Sequence, residues 1–152
     1  MRLGQHFIKN KSVLKKIIDA LDLERGDTVI EIGAGHGELT EKFSLFNFQF
    51  SITAIEKDKR LVGLLKEKFA GDSRIKIING DALRILPQLI RALEIRNCKL
   101  KITGNIPYYI TGKLLRILSE LHSKPDLCVF TVQKEVAERI IAKPPKMNRL
   151  SA

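Results

Sequence analysis

Short, nearly continuous apolar runs alternate along this chain with longer stretches in which apolar residues recur at helical spacing. The alternation predicts helices at 11–22, 37–46, 59–69, 82–95, 111–122 and 133–142, and strands at 28–32, 51–56, 74–78, 99–103 and 127–132. Pro87 is expected to interrupt the fourth helix, because proline removes a backbone donor and crowds the preceding turn. Apolar strands separated by helix-length crossovers predict an α/β domain of Rossmann-like type, a mostly parallel sheet with helices on both faces. There is no repeat, low-complexity tract or internal linker. In such sheets ligands bind beyond the C-terminal strand ends, so chemistry is to be sought there.

The length of 152 residues fits a single domain able to bury a substantial core. Cys98 and Cys128 fall at or in strands, with no CxxC spacing and no neighbouring His, and are expected to be core thiols in a reducing compartment, neither disulfides nor metal ligands. No apolar run approaches membrane-spanning length and residues 1–10 are too polar for a signal peptide, which predicts a soluble, cytoplasmic protein without a membrane partner. The 27 basic and 17 acidic residues leave a net charge of +10, an excess that favours a polyanionic partner such as nucleic acid. Basic residues crowd both ends, and Lys113 and Arg116 follow the most distinctive loop; for any single cluster a solvated lysine-rich surface is the commoner explanation.

That loop is Gly104-Asn105-Ile106-Pro107-Tyr108-Tyr109, directly after the apolar strand ending at Thr103. Asn105 offers an amide acceptor, Pro107 holds Ile106 extended so that nearby carbonyls can face a ligand N–H, and either tyrosine can stack on a flat base. A proline-tightened loop with two half-buried tyrosines is the plain alternative. At the first strand end, Glu31-Ile32-Gly33-Ala34-Gly35-His36-Gly37 clears the backbone for a ligand. Its spacing is GxGxG, and Glu38 stands where a dinucleotide fingerprint needs its last glycine, setting a carboxylate near a pyrophosphate. Glu31 is equally ill-suited to phosphate but reasonable near a cation. Glu56 closes the second strand, 19 residues beyond Gly37, where an acid can accept ribose hydroxyls, and Asp81 closes the third, where it can meet an adenine amino group or simply cap the next helix. Together these strand ends describe a pocket for a phosphate-free adenosine ligand, for which S-adenosylmethionine is the natural choice.

The motifs resemble those of the KsgA family of rRNA adenine N6,N6-dimethyltransferases, related to the Erm resistance methyltransferases and the mitochondrial transcription factor B proteins. Leu3-Gly4-Gln5-His6-Phe7-Ile8 is similar to the family's cofactor-covering segment, Glu31 to Thr40 to its glycine loop, and Ile55-Glu56-Lys57-Asp58 to its ribose motif. Gly80-Asp81-Ala82-Leu83 resembles the adenine motif, Asn105-Ile106-Pro107-Tyr108 the catalytic signature, and residues 133–140 the rRNA-maturation branch in preference to Erm. The resemblance implies a class I S-adenosylmethionine-dependent methyltransferase fold and methylation of small-subunit rRNA adenines, without a metal. It also implies that His6 and Ile8 close over the cofactor, Gly33 and Gly35 lie beneath it, Glu56 meets the ribose and Asp81 with Ala82 the adenine. Asn105 would sit between cofactor and substrate, with Ile106, Pro107 and Tyr108 completing the catalytic loop.

Family members continue into further strands and a small helical RNA-gripping domain, whereas this chain stops at Ala152, so the resemblance predicts a shortened form with its cofactor pocket largely intact and RNA recognition impaired. Its last strand is then expected to be an exposed edge inviting self-association. Three other readings compete: a non-catalytic RNA-binding module with a vestigial pocket, an Erm-type large-subunit rRNA methyltransferase, and a nicotinamide oxidoreductase. Intact Glu56, Asp81 and Asn105 argue against the first, and Glu38 against the last.

Overall fold

A computed structural model describes residues 10–93 and 98–143. Asn10 starts helix α1 (Lys11–Leu21) by accepting the Ser12 N–H on its side chain at 2.9 Å, and the helix then buries Leu14, Ile17 and Leu21 along one stripe. Strand β1 (Thr28–Ile32) is buried throughout. It is followed by α2 (Glu38–Ser44), β2 (Ser51–Glu56), α3 (Lys59–Lys68), β3 (Ile75–Asn79), α4 (Ala82–Leu93), β4 (Leu100–Asn105), α5 (Tyr108–Glu120), β5 (Leu127–Thr131) and α6 (Lys134–Ile140).

All pairings are parallel, and the strand order is β3-β2-β1-β4-β5. The chain therefore winds outward from β1 to β3, crosses back to β4 beside β1, and continues to β5 in the other direction. The β1/β4 junction is the topological switch, where crossovers on opposite faces leave a crevice. Gly104 permits the close approach of these strands, because a Cβ there would lie 2.4 Å from the Ile32 carbonyl oxygen.

Strand alternation divides the core between the faces. Ile30, Ile32, Ile55 and Ile102 pack with Leu86 and Ile90 of α4 and Leu114 and Leu118 of α5. Val29 and Ile52 pack on the opposite face with α1 and with Leu39 and Phe43 of α2, while Ala54 meets Leu65 and Phe69 beside α3. Full burial of each large side chain is worth about 1.5–3 kcal/mol, so the crossover helices are held chiefly by these contacts.

Three expectations are corrected. Helix α4 runs continuously through Pro87, which costs it one backbone hydrogen bond without ending it. Helix α5 starts at Tyr108, not 111, because Pro107 (φ −59°, ψ 141°) provides its N-terminal turn and accepts the Ile110 N–H and the Thr111 hydroxyl on its carbonyl. Cys128 is exposed, not a core thiol: it lies on β5, a strand at one edge of the described sheet, in an open groove beside α5. Cys98 is half-buried next to the Thr28 hydroxyl at 3.2 Å.

Candidate functional site

The C-terminal strand ends open onto a cleft of about 310 Å³, within the size range of small-molecule sites. Gly33, Gly35, Glu56, Asp81, Ala82, Asn105, Ile106, Pro107 and Tyr108, drawn from four strand ends, all line it. His6 and Ile8 lie outside the described residues.

The glycine turn is built by conformation and by space. Gly33, Gly35 and Gly37 have φ of 72°, 61° and 84°, in the left-handed region that side chains disfavour. At Gly37 a Cβ would also come within 2.8 Å of Leu65 and Phe69, so helix α2 can start there only against a bare backbone. The turn is tied to the next strand by Glu56, which is buried: Oε2 accepts the Gly35 N–H at 2.9 Å, and Oε1 accepts those of Lys57 and Asp58 at 2.7 and 2.8 Å. Three backbone donors thus orient one carboxylate at the cleft wall.

Asp81 both caps and faces the ligand space. Its Oδ1 accepts the Leu83 N–H at 3.0 Å at the start of α4, and Oδ2 accepts from the Lys57 ammonium at 3.0 Å. Partial burial pushes this carboxyl up, but hydrogen bonds from Lys57 and Leu83 and the charges of Lys57 and Arg84 outweigh it and hold it below the ordinary aspartate value. Asn79 joins the two strand ends by donating from Nδ2 to the carbonyls of Glu56 and Lys57.

Across the cleft, the loop after β4 is clamped to the end of β5. The Ile106 N–H donates to the Thr131 carbonyl at 2.9 Å, and the Thr131 hydroxyl donates to Asn105 Oδ1 at 2.9 Å. Ile106 is buried, whereas Tyr108 and Tyr109 are 62 % and 52 % exposed with their rings edge to face, 5.7 Å apart. The Pro107 carbonyl is taken up in starting α5. The tyrosine rings are open to a planar partner.

Beneath the glycine turn Glu31 is buried and accepts the Thr40 hydroxyl at 2.6 Å. Burial pushes its carboxyl from 4.5 up to about 8; the Thr40 hydrogen bond opposes the rise and the charges of Glu38 and Glu56 add to it. Sequence reasoning assigned no site role to Lys57, Asn79, Thr131, Val132 or Gln133, although Lys57, Val132 and Gln133 line the cleft. Extending the strand-end rule to β5 would have found the last three. Among the described residues no cluster of three or more His, Cys, Asp or Glu side chains could hold a metal ion, and no described helix is long and apolar enough to cross a membrane.

A family profile described as ribosomal RNA adenine dimethylase matches residues 1–152. A ribosomal RNA small subunit methyltransferase A from Dehalococcoides mccartyi is 42% identical over 149 residues, covering 98% of this chain and 50% of that protein. The crystal structure of a dimethyladenosine transferase from Plasmodium falciparum superposes with a TM-score of 0.77 at 28% identity, over 96% of this chain and 50% of the other. That of the 23S rRNA methyltransferase ErmE, at TM-score 0.68 and 24% identity over 88% of this chain and 50% of the other, shares the fold. The chain thus spans about half the length of the relatives it matches. With a parallel sheet of this order, a Rossmann-like methyltransferase architecture and a family match along its whole length, the chain belongs to the ribosomal RNA adenine dimethylase family.

Proposed function

We propose that this chain carries the cofactor-binding and methyl-transfer centre of an rRNA adenine N6,N6-dimethyltransferase that uses S-adenosylmethionine and acts on small-subunit rRNA. The observation that carries this reading is the convergence of the glycine turn, Glu56, Asp81 and the 105–108 loop on one cleft. The residues suit the cofactor. A carboxylate has about four acceptor positions, and the three backbone donors on Glu56 leave capacity for a ribose hydroxyl. Gly33 and Gly35 keep the wall clear of Cβ atoms, and Asp81 and Ala82, which line the same cleft, would meet the adenine. Once bound, S-adenosylmethionine supplies an electrophilic methyl group on a sulfonium sulfur.

The chain's own residues prepare the nucleophile. An adenine N6 amine is weakly nucleophilic because its lone pair is delocalised into the ring, yet it loses a proton readily once alkylated, so no strong base is needed. Asn105 Oδ1 and the Ile106 carbonyl would accept its two N–H groups and turn the lone pair toward the methyl position, favouring the positive charge that develops on nitrogen. Thr131 holds Asn105 in place for this. Tyr108 would stack on an adenine extruded from the RNA and exclude water. A second transfer to the same nitrogen requires only that one acceptor go unused.

Calorimetric titration with S-adenosylhomocysteine tests the cofactor half of this reading. Glu56→Gln keeps the size of the side chain but loses its charge, and hydrogen bonds to charged groups are worth about 1.5–3 kcal/mol, so affinity should fall roughly ten- to a hundredfold. Unchanged affinity in a variant with native circular dichroism would count against Glu56 as the ribose ligand.

A further inference from the structure

The methyl-transfer chemistry makes no use of Glu31, yet this carboxyl is as deeply enclosed as Glu56, each 2 % exposed. It lies on the face of β1 that α1 and α2 cover. On α2, Thr40 donates its hydroxyl to Oε2 and Glu38 adds a negative charge; on the β2 side the charged group is Glu56. The neighbouring strands place Ala54 and Thr103 beside it in register, and Leu14 of α1 lines the adjoining cavity. Among the described residues no basic side chain forms an ion pair with it. An ionised carboxylate in this position would be buried beside two others without a counter-charge, which is costly; the rise of its pKa to about 8 expresses the same imbalance.

Glu31 is nevertheless not sealed off. It faces a cavity of about 30 Å³ lined also by Leu14, Glu38, Gly33, Gly35 and Asn105, and the last three are shared with the main cleft. The cavity is the size of one water molecule or one ammonium group. A cation arriving there from the main cleft would supply a counter-charge that no described basic side chain provides.

We propose that Glu31 is a proton-linked switch of ligand binding, a neutral acid in the unliganded chain that releases its proton to solvent when a cationic ligand occupies the cleft and then serves as its counter-charge. This rests on the cofactor reading above, in which the ligand carries an ammonium group. One O–H bond is broken per binding event and the proton leaves in the buffer, so binding tightens as the pH rises toward the value at which free Glu31 ionises unaided.

Proton release is counted by titrating the chain with S-adenosylhomocysteine in two buffers of different ionisation enthalpy near pH 7, for wild type and Glu31→Gln, with uncharged adenosine as a second ligand. Wild type should release close to one proton more per S-adenosylhomocysteine than Glu31→Gln does, and its affinity should rise up to about tenfold between pH 6 and pH 7 where the variant's profile is flatter. Adenosine should release none from either. Comparing both proteins with one ligand cancels protons from the ligand itself. Equal release from wild type and variant overturns the switch while leaving cofactor binding intact, whereas absence of any binding by wild type removes the cofactor reading too. If Glu31→Gln fails to fold, carboxyl 13C resonances of the wild-type chain decide the matter: one glutamate should titrate near pH 8 when free and below about pH 6 with S-adenosylhomocysteine bound. A full set of glutamates titrating in the ordinary range without ligand contradicts the proposal.

Discussion

Glu31 keeps its proton in the folded chain at pH values where the unfolded chain has lost it. With an ordinary value of 4.5 and a folded value of about 8, the unfolded state binds fewer protons throughout that window, so folding stability falls as the pH rises from about 4.5 to about 8 and the whole cost is in place above it. The cost is on the order of a few kcal/mol. Glu31→Gln keeps an acceptor for Thr40 but cannot ionise, and should therefore gain several degrees in melting temperature relative to wild type between pH 5 and pH 8; parallel melting curves across that range would contradict the assignment. At this scale the glycine turn and the 105–108 loop were legible in the sequence because residue type alone limits what Gly, Pro and Asn can do locally. The tie from Glu56 to the glycine turn was not: the Lys57 and Asp58 amides are its immediate sequence neighbours, but the Gly35 amide lies 21 residues away and meets it only when the sheet has formed. The Lys57–Asp81 pair, 24 residues apart, was hidden for the same reason.

Among the elements, β4 carries a charge inside the sheet. Lys101 is 7 % exposed, pairs with Asp27 (2 % exposed) at 2.8 Å and donates to the Asp22 carbonyl, fastening the start of β4 to the turn after α1. Asp27 in turn accepts the Glu24 N–H at 2.8 Å. Lys101→Ala leaves Asp27 buried without a cation and should cost about 3–5 kcal/mol in urea unfolding. Combining Lys101→Met with Asp27→Asn, which retains an acceptor for Glu24, should recover most of that loss; a double variant as unstable as the single one would mean that the ion pair itself is required. The strands and helices were readable in the sequence because a buried parallel sheet demands apolar runs and its crossovers demand helical spacing. That pattern was overridden at two places: the local chemistry of Pro107 starts α5 a turn early, and tertiary packing of Leu86 and Ile90 carries α4 through Pro87.

Over the whole molecule, two features bear on the RNA. For the rRNA substrate proposed above, the net charge of +10 predicts an affinity that falls steeply with salt, with a log–log slope of roughly −0.7 for each phosphate neutralised on a single strand; a filter-binding series in potassium chloride with no salt dependence would exclude this electrostatic footing. The second feature is the order β3-β2-β1-β4-β5, which brings strand ends 33–35, 56, 81 and 105–108 to one crevice although they are scattered over most of the chain. The order follows from sequence only through the general rules of parallel sheets, while the pairing of Thr131 with Asn105 depends on β5 lying next to β4. The central claim is that this crevice transfers methyl groups to adenine N6. Its most direct test is nucleoside mass spectrometry of under-methylated small ribosomal subunits incubated with S-adenosylmethionine and either this chain or Asn105→Ala. The account predicts N6,N6-dimethyladenosine with the wild-type chain and its loss in the variant; undiminished product with Asn105→Ala would contradict it.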